Sequence, residues 1–102
     1  MRNQPAAASV LEEVRRIVLG VLGKQPVSVY LFGSWARGDA TPQSDIDLAI
    51  EAHSPLQPGL LALLRERLEE SRVPYRVEVV ELSGVDPQFR RRILAEGVRW
   101  NG

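Results

Sequence analysis

The stretch Gly33 to Leu48, GSWARGDATPQSDIDL, limits the folds open to this chain more than any other. An apolar run, Val27-Ser-Val-Tyr-Leu-Phe32, stops at Gly33-Ser34, and a second apolar run opens on Asp45-Ile-Asp47-Leu48. A Gly-Ser pair leaving a strand can offer backbone N–H groups and a hydroxyl to a phosphate, and two aspartates can share a hard cation carrying that phosphate. If the two halves act together, the end of the first strand lies beside the start of the second, so these strands run antiparallel. A third strand, Tyr75 to Leu82, follows a helix of more than a dozen residues, the crossover length that a parallel connection to the second strand needs. The expected sheet is mixed. It places the site at the starts of strands two and three, whereas ligands of open parallel sheets usually sit at the carboxyl ends.

The remaining elements follow from periodicity and caps. Ser9-Val-Leu-Glu12 fits a capping box, and Val10, Leu11, Val14, Ile17, Val18, Val21 and Leu22 recur at helical spacing until Gly23. Ser34 to Asp39 has room for a helical turn or two with Ser34 as N-cap, and Thr41-Pro-Gln-Ser44 is turn chemistry before the second strand, Asp45 to Glu51. After a break at Pro55 to Gly59, the apolar positions Leu60, Leu61, Leu64 and Leu68 predict a helix to about Arg72. Asp86-Pro87 starts a last helix, with Phe89, Ile93 and Leu94 on its apolar side and Gly97 at its end, before a short tail from Val98 to Gly102. The alternation predicts a single domain, residues 1–102, of α/β layer architecture.

Composition narrows the chemistry. Thirteen basic and thirteen acidic residues cancel, so no overall field draws the chain to nucleic acid or an anionic membrane, and any phosphate binding is local. With no cysteine and one histidine, thiolate sites and His-cluster metal sites are excluded, and carboxylates are left as metal ligands. MRNQPAAAS lacks the apolar run of a secretory signal, and no stretch approaches the ~20 apolar residues of a membrane span, so a soluble cytoplasmic protein is expected.

On a strand, Asp45, Asp47 and Ala49 point one way and Ile46, Leu48 and Ile50 the other, with the two acids about 6.6 Å apart at Cα. Unpaired, they repel each other. A divalent cation between them, held with phosphate oxygens and water as Mg²⁺ prefers, removes that repulsion. A two-metal site needs a further carboxylate, and the third strand offers Glu78 and Glu81. With parallel strands started together Glu78 is the nearer, Glu81 lying roughly 10 Å further along.

As a composite, Gly33-Ser34-Trp35-Ala36-Arg37-Gly38 followed by Ser44-Asp45-Ile46-Asp47-Leu48 resembles the minimal nucleotidyltransferases of the DNA polymerase β superfamily. The leading helix, the VEVVEL strand, the Asp-Pro helix and the closing EGV segment are arranged as in that family. The resemblance implies the nucleotidyltransferase fold, a small mixed sheet with helices packed on it. It also implies transfer of a nucleoside monophosphate from a nucleoside triphosphate, ATP being expected, to an acceptor hydroxyl. By the same resemblance Gly33 and Ser34 hold the β- and γ-phosphates, Arg37 adds charge near them, and Ser44 is a further nucleotide-binding residue. Asp45 and Asp47 hold two Mg²⁺ ions, and Glu78, where the family usually has aspartate, holds the ion that activates the acceptor. Members are often encoded beside a small helical protein with a HEPN domain, and some act as antitoxins that nucleotidylate it. The alternative function is that of a weakly active or inactive antitoxin-like binding subunit.

Several residues admit plainer roles. Gly33-Ser34 can be a strand-to-helix turn, Arg37 a surface partner of Asp39 or Asp45, and Glu78 a partner of Arg76. Trp35 can stack on a base or pack against the sheet or a partner. Arg90-Arg91-Arg92 fans around its helix, giving no strong case for nucleic acid, and His53 reads as a surface loop residue. No GxxxxGK[ST] occurs, which disfavours P-loop hydrolysis, and the chain is short for a nucleotide-sugar transferase. The oligomeric state, a homo-oligomer included, stays open.

Overall fold

The computed structural model describes residues 4–101, with side chains from Ser9 onward. In chain order it forms α1 (Gln4–Leu22), β1 (Val27–Phe32), α2 (Ser34–Arg37), β2 (Ile46–Ala52), α3 (Leu60–Glu69), β3 (Val77–Glu81), a 3₁₀ turn (Leu82–Gly84), α4 (Pro87–Glu96) and β4 (Val98–Arg99). The strands form one sheet in the order β3-β2-β1-β4. β1 is antiparallel to β2, from Val27 opposite Ala52 to Phe32 opposite Asp47, and β2 is parallel to β3, from Ile46 beside Val77 to Ile50 beside Glu81. The mixed topology expected from the motif is the one observed.

One face of the sheet is closed. Val14, Val18 and Leu22, one stripe of α1, join Leu64 and Leu68 of α3 over Val29, Leu31, Ile46, Leu48, Ile50 and Val79. Burial of each such side chain stabilises the fold by about 1.5–3 kcal/mol. On the other face α4 packs Ile93, together with Leu82, onto Ala49 beside Tyr30, Phe32 and Val80. Phe89 of α4 meets Phe32 edge-on at 5.8 Å between ring centroids. Asp86 caps α4 by accepting the Gln88 N–H at 3.0 Å, with Pro87 in its first turn, as the sequence predicts.

Five local expectations are corrected. α1 begins before Ser9, which lies inside the helix rather than at its cap, because Ala6-Ala-Ala8 are strong helix formers and the first turn tolerates Pro5. The N-cap of α2 is Gly33, with Ser34 as the first helical residue, and the helix is a single turn closed by Gly38. α3 stops at Glu69, short of Arg72, where the Ser71 hydroxyl donates to the Leu68 carbonyl at 2.6 Å and competes with the helical ladder. β3 starts at Val77 rather than Tyr75, whose ring is used against Trp35.

The tail, finally, is a fourth strand. β4 pairs with β1, Arg99 opposite Tyr30 and Val98 opposite Leu31. Asn101 continues the pairing with its side chain: the Val29 N–H donates to Asn101 Oδ1 and Asn101 Nδ2 donates to the Val27 carbonyl, each at 2.8 Å. The chain turns from α4 into β4 at Gly97, where a Cβ would lie 2.6 Å from the Ile93 carbonyl oxygen and 3.3 Å from that of Leu31. Only glycine fits that approach.

Candidate active site

Gly33 joins the two halves of the motif. It follows Phe32, the register partner of Asp47, at φ 78° and ψ −158°, a conformation essentially restricted to glycine. A Cβ on Gly33 would overlap Asp47 Oδ2 and stand 3.2 Å from Asp47 Cγ. The missing side chain is therefore the space in which the Asp47 carboxylate sits. The end of β1 and the start of β2 are one locus.

Trp35 braces this locus from below. Its indole N–H donates to the Ser44 carbonyl at 3.4 Å, and its ring packs edge-on against Tyr75 at 4.9 Å and 74°. One side chain thus ties α2, the turn before Asp45 and the approach to β3, which is the packing role weighed against base stacking. Ser44 supports the same turn, its hydroxyl accepting the Thr41 N–H at 2.9 Å while its own N–H donates to the Thr41 carbonyl.

The carboxylates differ in environment. Asp45 is exposed just ahead of β2, and Asp47 is half-buried on the strand. Burial pushes the Asp47 carboxyl above its ordinary value, the charges of Asp45 and then Glu78 push it further, and Arg37 pulls it back. Glu78 is the β3 neighbour of Asp47, on strands about 4.8 Å apart, whereas Glu81 is level with Ile50 and, by alternation, on the opposite face. Of the two glutamates, Glu78 alone accompanies the aspartates.

Two arginines face these acids. Arg37, exposed, pairs its Nε with Asp39 Oδ2 at 3.3 Å, and Arg76 pairs an Nη with Glu78 Oε1 at 3.2 Å. Both pairings are among the plainer roles that the sequence admits for these residues. Among the described residues no group of three or more His, Asp or Glu side chains is arranged to hold a metal ion. The donor set still suits a hard divalent cation, being carboxylate oxygen throughout, and the charge on Asp47 is disfavoured by both neighbouring acids. His53 is an exposed loop residue whose Nε2 lies 2.8 Å from the Ser28 hydroxyl, and Arg90 pairs with Glu51 at 2.7 Å.

The family model for polymerase β nucleotidyltransferases matches residues 21–99, from the end of α1 through β4. The chain belongs to this family. Among family relatives, a candidate protein adenylyltransferase of Methanocaldococcus jannaschii is 32% identical over 90 residues, covering 86% of this chain and 95% of that one. Another, MntA of Haemophilus influenzae, is 36% identical over 66 residues, 65% of this chain and 58% of its own length. The chain thus spans somewhat over half of that relative. Of solved structures, a candidate minimal nucleotidyltransferase superposes with a TM-score of 0.72 at 31% identity, over 88% of this nucleotidyltransferase-family chain and 92% of that one. A Shewanella oneidensis MNT antitoxin, in complex with a tri-AMPylated HEPN toxin, shares the fold at a TM-score of 0.67 and 21% identity, over 94% of this chain and 72% of that one. Among the described residues no helix is long and apolar enough to cross a membrane.

Two contacts of the site are not legible in the sequence, although the residues that make them are. The contact between Gly33 and Asp47 was foreshadowed only by a glycine directly after a strand, opposite an acid. The brace at Trp35 had no local signal, since Tyr75 is 40 residues away in the sequence.

Proposed function

We propose that this protein transfers a nucleoside monophosphate, with ATP as the expected donor and Mg²⁺ as the metal, to a hydroxyl on a partner protein, and that the partner is a small helical protein of HEPN type. The observation that carries this reading is the contact that seats Asp47 in the space left by Gly33, because it brings a turn suited to phosphates against carboxylates suited to a cation. The acceptor oxygen attacks the α-phosphorus, the bond to the bridging oxygen of the β-phosphate breaks, and pyrophosphate leaves with that electron pair. Mg²⁺, when bound, would offset charge on the attacking and leaving oxygens. Asp45 and Asp47 would hold it on the β2 side and Glu78 on the β3 side, where Glu78 would also receive the acceptor proton. Gly33 and Ser34 would orient the terminal phosphates, with Arg37 adding charge near them and Ser44 holding the turn that presents Asp45. Support for a protein acceptor comes from the protein adenylyltransferase relatives, and support for a HEPN partner from the Shewanella complex.

The test is incubation with α-labelled ATP, Mg²⁺ and a small helical candidate acceptor. Label on the acceptor, absent with an Asp45→Ala, Asp47→Ala double variant, is the expected result. Label no higher than that control overturns the reading. The second reading, a binding subunit without turnover, draws on Glu78 being held by Arg76. It is supported by partner binding without transfer, and lost if Glu78→Ala abolishes a measurable transfer while partner binding persists.

A further inference from the structure

Glu78 is the outlying carboxylate of the site, and its partner, Arg76, immediately precedes its own strand. Arg76 stands one residue ahead of β3, where its carbonyl accepts the Ile46 N–H at 2.9 Å, and two residues before Glu78, whose Oε1 it meets at 3.2 Å. Both are solvent-accessible, at 73% and 47%, and both open onto a groove along the outer side of β3 that Arg65, Glu66 and Tyr75 also line. Asp47 is neighboured by Asp45 and Glu78, two like charges, with Arg37 as the opposing one. The carboxylate of Glu78 therefore has two calls on it: a cation shared with Asp47, and the guanidinium of Arg76.

We propose that Arg76 is a positioning residue that competes with the metal for Glu78, so that loading the site requires the Arg76–Glu78 pair to open. This rests on the metal-dependent reading above. The extra carbon–carbon bond of glutamate, roughly 1.5 Å, is what allows one side chain to serve both partners. An exposed ion pair of this kind is weak and screened by salt, so it adjusts the metal concentration required without closing the site.

The experiment measures binding of Mn²⁺ alone, by electron paramagnetic resonance, to the full chain at low ionic strength. Arg76→Gln is expected to bind Mn²⁺ about two- to fivefold more tightly than the unsubstituted protein, with the gain fading in 0.5 M salt, roughly the range that a surface ion pair supports. In a Glu78→Gln background, Arg76→Gln should change nothing. Equal or weaker binding by Arg76→Gln overturns the proposal, as does the same tightening in the Glu78→Gln background, which would show general charge repulsion instead. If the unsubstituted protein binds Mn²⁺, Asp47→Asn removes it and Arg76→Gln is neutral, the competition fails while the metal-dependent reading stands. If the unsubstituted protein binds no Mn²⁺, both fall.

Discussion

The two ends of the site are built differently. At the start of β2, Asp47 is half-buried, seated against a glycine that has no room for a side chain and supported through the turn that Trp35 braces. At the start of β3, Glu78 is 47% exposed and held by a single surface arginine. The first end is fixed by backbone packing, which changes only if the fold changes. The second is fixed by an ion pair that water, salt or a cation can exchange. The lesson is that a register neighbour is not an equivalent ligand, since adjacent positions on two strands differ in how firmly their side chains are held.

The largest test of this contrast is Gly33→Ala. The added methyl displaces the Asp47 carboxylate, and a displacement of about 1 Å in such a site lowers a rate on the order of 10²-fold. Labelling assays on folded variant protein should show that loss, and the φ and ψ that Gly33 adopts should cost an alanine about 1–3 kcal/mol of stability in denaturant titration. Near-normal transfer by Gly33→Ala would break the comparison at its firm end.

Asp47→Asn sharpens the same end through stability. The folded state raises the Asp47 pKa, by burial first and by Asp45 and Glu78 after it, so that above the carboxylate range the ionised group is less favourable in the folded chain than in the unfolded one. Stability contributed by that group is present below the unfolded pKa and is lost as pH rises through the folded one. In chelator at pH 7, Asp47→Asn should therefore melt above the unsubstituted protein, with the difference shrinking as pH falls through the carboxylate range. A lower melting temperature at pH 7 would mean that the Asp47 charge is satisfied without a metal.

The smallest effect belongs to Glu78→Asp. Because the side chain is exposed and makes one surface pair, stability should stay within about 0.5 kcal/mol in the same melts. A larger loss would show that the β3 end is as firmly built as the β2 end.

Much of this arrangement was legible because local chemistry and the fold agree. Val27–Phe32 is β-branched and aromatic and stops at glycine, Asp86-Pro87 carries both a cap and a first-turn proline, and Asp45-x-Asp47 implied an antiparallel neighbour that the register confirms. The hidden parts depend on partners distant in sequence. Val98 and Arg99 form a strand because β1 offers an edge, and Asn101 reads as a tail residue until its amide is seen between Val27 and Val29. The spacing of Arg76 and Glu78 admits their pairing, but spacing alone cannot say whether a guanidinium or a metal cation holds the carboxylate.

The placement of β4 also has a consequence for how the chain is made. β1 is synthesised before β4, and one of its edges waits for a side chain 72 residues later in the sequence. At roughly 5–20 residues per second of translation, that edge stays open for several seconds or more. An apolar strand with an unsatisfied edge is a template for foreign strands. The nascent chain is thus most vulnerable to mispairing in the interval between the emergence of β1 and that of Asn101, and the last residues of the sheet act as its closure in time as well as in space.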